Sequence, residues 1–389
     1  MRIILLVIDS GGIGPAPDSA AFGDLGANTI GHTARAVPGL ALPNLAAMGL
    51  SSLVDLPGTP AVPLKGVAYP VHSQAAGKDT LAGHWEMMGI TVTVPFRTFP
   101  NGFDADIVAR LTEAFGRPLL GNEVASGTEI MARLGERHMQ TGWPIVYTSA
   151  DSVLQIAAHE DIVPLPQLYA WSQSARDIMQ GPWLVGRIIA RPFVGTPGHF
   201  TRTAHRHDFS VKPPSATEVD ALQQAGVRTV AVGKIGDIFS GQGFDVKTAT
   251  VSNQDGLEKT AQALEQWPSG KPGFIFTNLV EFDSLYGHRR DPVGYARALR
   301  ELDDFLPHLW NLLGPGDQLW ITADHGCDPT YPGTDHTRET LPWLCYGPSL
   351  IPGIGHPRST LGDIAATLAA LFSAAQVGHG HISDKLVPG

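Results

Sequence analysis

Apolar positions along this chain follow two rhythms. Unbroken apolar runs of strand length lie at residues 3–8, 229–233, 273–277 and 318–322, the pattern of strands covered on both faces. Between the later runs apolar residues recur at three- and four-residue spacing, most regularly over 292–313, which predicts amphipathic helices. Strands alternating with helices predict an α/β fold with a central, mostly parallel sheet flanked by helices.

The middle of the chain breaks this rhythm. From about 97 to 213 the segments are mixed, and basic, aromatic, glycine and proline positions are denser. Pro213 and Pro214 read as a hinge. The expectation is a discontinuous core, 1–96 with 214–389, carrying a smaller inserted α+β cap at 97–213.

Composition narrows the class. A chain of 389 residues exceeds one ordinary core, and 43% hydrophobic with 16% charged residues describes a globular protein. A net charge of −10 argues against nucleic acid or an anionic membrane as partner. Two cysteines, Cys327 and Cys345, make no disulfide framework and fit a reducing compartment. The first apolar run stops at Asp9, shorter than a signal sequence requires, and no run reaches membrane-spanning length. The expected setting is the cytoplasm, with small-molecule substrates and no obligate protein partner.

Candidate chemistry gathers at the predicted strand ends, where α/β sheets place their ligands. The first strand ends at Asp9, the run at 273 leads to Asp283 and His288, and the run at 318 ends at Asp324 and His325, with His336 eleven residues on. Neighbouring strand residues face opposite ways, so Asp324 and His325 can share a site only where the chain leaves the strand, at Gly326. Any one such Asp reads equally as a turn or cap residue. Three strand ends carrying three Asp and three His together suit a pair of divalent cations of the manganese or zinc type. Two such ions can clamp the attacking and leaving oxygens of a phosphoryl group.

Residues 77–86, Gly-Lys-Asp-Thr-Leu-Ala-Gly-His-Trp-Glu, look like a loop entering a helix. Thr80 falls at the helix start, where free N–H groups favour an anion; Thr80 or Asp79 reads equally as an N-cap. Spacing alone does not single out this threonine. Dinucleotide, P-loop, H-E-x-x-H and G-x-S-x-G signatures are all missing from the sequence.

Taken together, these segments resemble the phosphopentomutase family, a cap-bearing branch of the alkaline phosphatase superfamily. The strings that carry the resemblance are 7–14 with 17–18 and 22–24, 77–80 with 83–89, Asp283 with 287–291, 322–330 and 333–339. They span the core from end to end; Leu81 and Ala82 after the threonine are a local variation. The resemblance implies an alkaline phosphatase-like core, with Asp283, His288 and His336 holding one manganese and Asp9, Asp324 and His325 the other. Thr80 or its phosphate would bridge to the pair. It implies interconversion of ribose 1-phosphate and ribose 5-phosphate, and of the deoxyribose pair, through phospho-Thr80 and a 1,5-bisphosphate. It also implies priming by a sugar bisphosphate such as glucose 1,6-bisphosphate.

Between 187 and 212 lie five basic residues, Arg187, Arg191, Arg202, Arg206 and Lys212, against Asp208. Such an excess suits a substrate phosphate, which arginine forks bind bidentately, and reads equally as a solvated cluster. Arg191 and Arg202, with Lys234 after the strand at 229, are the expected phosphate contacts; Ser149 and Asp151 are the expected contacts to ribose hydroxyls. A cap over such a site would exclude water and so separate a mutase from a phosphatase. The rival readings are a phosphomonoesterase or phosphodiesterase on the same dimetal core, a phosphoglycerate-type mutase, and a scaffold without activity. The last would be expected to have lost a ligand or the threonine, and all seven positions are filled.

Overall fold

The computed structural model describes residues 1–149 and 151–387; Ala150, between the expected sugar contacts, and residues 388–389 lie outside the described part. The chain forms two compact units, Met1–Val94 with Pro213–Gly389, and Pro95–Lys212. The divisions fall at Val94/Pro95 and Lys212/Pro213, so Pro95 and Phe96 go with the insert and Pro213 with the core.

The core unit is built on an eight-stranded sheet. Its spatial order is Val246–Thr248, Arg228–Val232, Gly273–Leu279, Arg2–Ile8, Gln318–Ala323, Leu341–Tyr346, Val67–Val71 and Gly353–Ile354. The first five strands run parallel, and Leu341–Tyr346 is antiparallel to both of its neighbours. Arg2–Ile8 lies at the centre with both faces covered, and Ile3 through Ile8 are buried. This is why its sequence is unbroken rather than alternating, each side chain contributing roughly 1.5–3 kcal/mol of burial. The α/β layering with a mostly parallel central sheet is the one expected.

Helices cover this sheet. Pro292–Asn311 begins at Asp291, whose side chain accepts from Gly294 N, with Pro292 in the first turn where its missing N–H costs nothing. It packs Leu299, Leu302, Leu306 and Leu309 into the same core as Ile4, Leu6 and Ile8. Four strands of this sheet escaped the apolar-run reading: Val246–Thr248 and Gly353–Ile354 are very short, and Val67–Val71 and Leu341–Tyr346 each carry a proline, Pro70 and Pro342. Those two prolines oppose one another in register.

The Pro95–Lys212 unit has its own six-stranded mixed sheet and its own apolar core, in which Phe99, Ile107, Ile156, Trp171 and Ile188 meet. Three helices, Ala105–Phe115, Gly127–Thr141 and Leu165–Ile178, accompany the sheet. The long strand Arg187–Thr196 pairs along one stretch with His207–Ser210 and along the next with His199–Arg202.

Candidate metal centre and nucleophile

Register brings the acidic residues together. Ile8 stands opposite Leu279 on one side and Ala323 on the other, so three adjacent parallel strands end level. Asp9 and Asp324 are the next residues off two of them. The third continues through Val280 into a π-helical turn, Phe282–Gly287, that presents Asp283; such widened turns often occur at functional sites. Ser10 takes a left-handed φ of 77° to turn the chain at once. Its N–H donates to Asp324 Oδ1 at 3.0 Å, and its carbonyl accepts from Tyr295 at 3.0 Å.

The six expected ligands form one cluster. His325 Nε2 is 3.2 Å from Asp324 Oδ2 and 3.5 Å from Asp9 Oδ1. Asp283 reaches His288 Nε2 through Oδ2 and His336 Nε2 through Oδ1, both at 3.3 Å. His325 and His336 stack with ring centroids 3.9 Å apart, joining the two halves. Ligand atoms of Asp9, Asp324 and His325 lie within 4.8 Å of one another, as do those of Asp283, His325 and His336.

The residues fit divalent metal ions for a reason visible in their hydrogen bonds. Nδ1 of His325, His288 and His336 faces the backbone carbonyls of Gly326, Thr334 and Lys78, at 3.1, 2.6 and 2.8 Å. Each ring therefore donates from Nδ1 and turns Nε2 toward the carboxylates, the arrangement of metal-binding histidines. His336 and His288 bring Nε2 to Nε2 at 3.1 Å, where two lone pairs meet unless a cation lies among them. Oδ1 of Asp9, Oδ1 of Asp283 and Oδ2 of Asp324 are buried with no hydrogen-bond donor among the described residues. Burial, then the charges of Asp324 and Asp283, push the Asp9 carboxyl well above its usual range. Burial opposes the charge on His325, but Asp324 outweighs it and carries the imidazole up to about 10. Like charges crowded out of water call for positive charge, and metal binding displaces such protons.

Thr80 opens the helix Thr80–Met87, and Asp79 is its cap, accepting from Ala82 N at 3.1 Å. The threonine hydroxyl lies 3.3 Å from His325 Nε2, at the edge of the cluster. Gly83 allows that closeness: a Cβ there would stand 2.3 Å from the Asp324 carbonyl oxygen. Lys234 follows the left-handed Gly233 at the end of Arg228–Val232, and its charge is felt at Asp9. Cys327 is buried and its thiol is pushed up by burial and then by Asp283, which fits packing.

Sequence reasoning missed the frame around these groups. The Arg338 guanidinium grips the Asp18 carboxylate at 2.8 Å and the carbonyls of Ser73 and Ala75 at 2.6 and 2.9 Å. The Arg338 amide and Lys78 Nζ both donate to Asp24 Oδ2. Together they tie down the loop that delivers Thr80. Buried Glu339 collects Thr29 N, Thr29 Oγ1, Gly14 N and Thr337 Oγ1. Its own burial pushes it up to about 7. Gly12 and Gly326 leave room for that carboxylate, since a Cβ at either would sit 2.1–2.3 Å from it. Arg338 and Glu339 stand in the polar run 334–340, so no local signal set them apart.

The expected substrate contacts on the inserted unit have partners within that unit. Arg191 donates to Gln155 Oε1 at 2.9 Å, and Arg202 to Thr128 Oγ1 at 3.2 Å. Burial, then the charge of Arg206, lowers Arg191 to about 10. Asp151 pairs with Arg187 at 3.5 Å, and Arg206 with Asp208 at 2.6 Å, so part of the basic excess is neutralised locally. Ser149 is half-buried just past the strand Ile145–Thr148. The buried Tyr147 hydroxyl, with no hydrogen-bond partner among the described residues, lies beside Gly127 and the Arg202 guanidinium.

Fold and cluster together define a metal-dependent enzyme, and the Metalloenzyme superfamily model matches residues 1–376. The chain is 52% identical over 383 residues to the phosphopentomutase of Symbiobacterium thermophilum, covering 97% of this chain and 96% of that protein. It is 51% identical over 386 residues to that of Anaeromyxobacter dehalogenans, covering 98% of each. The phosphopentomutase of Alkaliphilus metalliredigens is 46% identical over 388 residues, covering 99% of each. The chain belongs to the phosphopentomutase family and is an isomerase that uses divalent metal. No helix among the described residues is long and apolar enough to cross a membrane.

Proposed function

We propose that this chain interconverts α-D-ribose 1-phosphate and D-ribose 5-phosphate, and the 2-deoxyribose pair, through phosphorylated Thr80 and a pentose 1,5-bisphosphate. The observation that carries this reading is the Thr80 hydroxyl at a helix start, 3.3 Å from His325, beside buried carboxylate oxygens without donors. Asp283, His288 and His336 would hold one manganese, and Asp9, Asp324 and His325 the other. Bound there, the ions would supply Lewis-acid stabilisation of the charge on the transferred phosphoryl group.

The chain's own groups do the rest. The free N–H groups of the helix start receive the anion carried on Thr80. Phospho-Thr80 gives its phosphoryl to the sugar's free hydroxyl: the Thr80 O–P bond breaks, the sugar O–P bond forms, and the proton lost by the hydroxyl ends on the released Thr80 oxygen. The bisphosphate then presents its other phosphate, which returns to Thr80 and releases the isomeric product. Arg191, Arg202 and Lys234 are assigned to the phosphate not being transferred, and Ser149 and Asp151 to ribose hydroxyls. Glucose 1,6-bisphosphate or a similar sugar bisphosphate primes Thr80. The reading places the enzyme in the cytoplasm with no nucleic-acid, membrane or obligate protein partner.

A coupled assay tests this reading. Ribose 1-phosphate is supplied with manganese, with and without glucose 1,6-bisphosphate, and both ribose 5-phosphate and free phosphate are followed. The expected result is bisphosphate-dependent ribose 5-phosphate with little free phosphate. Free phosphate as the main product contradicts the mutase and leaves a phosphatase.

A further inference from the structure

The ligands and the threonine enclose an imidazole that has no assigned role. His84 is fully buried, one helical turn beyond Thr80, and its ring stacks on Phe276. Nδ1 lies 2.8 Å from the Thr80 carbonyl oxygen and 3.2 Å from Asp324 Oδ2. Nε2 lies 3.2 Å from Asn278 Nδ2, and the same amide nitrogen donates to Asp9 Oδ2 at 3.1 Å.

The Asp9 carboxylate fixes which way that amide points, because an amide oxygen turned toward it would face a like charge. The two N–H groups of Asn278 therefore serve Asp9 and His84. His84 Nε2 becomes an acceptor, and the ring's proton sits on Nδ1 and is donated to the Thr80 carbonyl, with Asp324 Oδ2 an electrostatic neighbour of that nitrogen at 3.2 Å. One imidazole thus links the peptide of the nucleophile to both carboxylates of one metal site.

We propose that His84 and Asn278 are positioning residues of the phosphoryl transfer, a buried chain that holds the Thr80 helix in register with Asp324 and Asp9. The proposal rests on the assignment of Thr80, Asp9 and Asp324 made above. Neither residue touches substrate; each acts through the ligand it orients. Outer hydrogen-bond partners of metal ligands typically alter affinity by about 10–100-fold, and here the effect falls on the Asp9/Asp324/His325 ion alone.

The test is calorimetric titration of metal-stripped full-length enzyme with manganese, comparing wild type, His84→Phe, His84→Asn, Asn278→Ser and Asp324→Asn. His84→Phe keeps a ring and drops both polar positions. His84→Asn restores an N–H where Nδ1 stood. The expected result is one of two manganese sites weakened about 10–100-fold in His84→Phe and Asn278→Ser, the other within about twofold of wild type, and most of the loss recovered in His84→Asn. Phosphorylation of Thr80 by glucose 1,6-bisphosphate, read by intact mass, slows in the same order. Two wild-type affinities in His84→Phe, or both sites weakened alike, overturn the proposal. Should His84→Phe not fold, unchanged affinities in Asn278→Ser do the same. Two ions bound at wild-type affinity by Asp324→Asn would instead overturn the ligand assignment beneath it.

Discussion

The two units treat their charges in opposite ways. In the core, Asp9, Asp283 and Asp324 are packed out of water, and an oxygen of each lacks any hydrogen-bond donor among the described residues. On the inserted unit, Arg206 forks onto Asp208 at 2.6 and 2.7 Å, Arg187 meets Asp151, and Arg191 and Arg202 rest on neutral acceptors. Buried like charges are destabilising until a cation compensates them. Half-exposed arginines with local partners can exchange those partners for a ligand at little cost. The core cluster is therefore suited to bound divalent metal, and the proposed reading gives the inserted basic cluster to recognition.

This contrast can be broken most severely at Thr80. Thr80→Ala is expected to lower mutase turnover by on the order of 10⁴-fold or more while two manganese ions remain bound, checked by coupled assay and metal analysis of one preparation. Loss of metal along with activity would make Thr80 a ligand rather than the phosphoryl carrier.

Asp9→Asn comes next, with activity expected to fall roughly 10³-fold through loss of one ion. Its stability should move both ways. Without metal the variant unfolds at a higher temperature than wild type, because one of the crowded carboxylates is gone. With saturating manganese the order reverses, because wild type gains more from binding. Calorimetric melting of the four samples decides it, and an Asp9→Asn protein less stable than wild type in both states would deny that the cluster is strained.

On the recognition side, Arg191→Ala and Arg202→Ala are each expected to raise KM by about 10-fold, the worth of one charge-assisted contact, with kcat changed far less. Steady-state kinetics separates the two constants. A fall in kcat alone would move these arginines from recognition into the chemistry.

The smallest expected effect lies away from both clusters. Burial pushes Glu218, whose carboxylate accepts from Val377 N, up to about 8 from the ordinary 4.5. The folded state therefore holds a proton that the unfolded state has released between those values. Glu218 contributes its full stability below about 4.5 and loses it as pH rises toward about 8. Glu218→Gln should flatten that decline and melt a few degrees above wild type near pH 8.5. A parallel pH profile for the two proteins would refute the assignment.

Much of this is legible in the sequence. Burial on both faces writes itself as unbroken apolar runs, so the strands at 3–8, 273–277 and 318–322 were visible, and with them the strand ends that present Asp9, Asp283 and Asp324. Val67–Val71 and Leu341–Tyr346 were hidden by Pro70 and Pro342, which weaken a strand pattern. His84 stood in view, four residues after Thr80 and so on the same helix face. Its link to Asn278 was invisible, because the helix Thr80–Met87 and the strand Gly273–Leu279 lie 194 positions apart at these residues and meet only in the folded core. Arg338, Asp18 and Asp24 lie within the motif strings, yet their hydrogen bonds cross from one end of the chain to the other and no local spacing announces them. The basic excess over 187–212 read as four charges once Asp208 was set against five basic residues; the structure pairs Arg206 with that aspartate and brings in one further acid, Asp151, against Arg187.

The most direct measurement is peptide mapping of the phosphorylated enzyme. Manganese-loaded protein is incubated with glucose 1,6-bisphosphate, digested, and its phosphate located by mass spectrometry, then chased with ribose 5-phosphate. The account predicts one phosphoryl group on Thr80 that the chase removes as pentose bisphosphate. Phosphate on another residue, or none that the sugar can discharge, would contradict it.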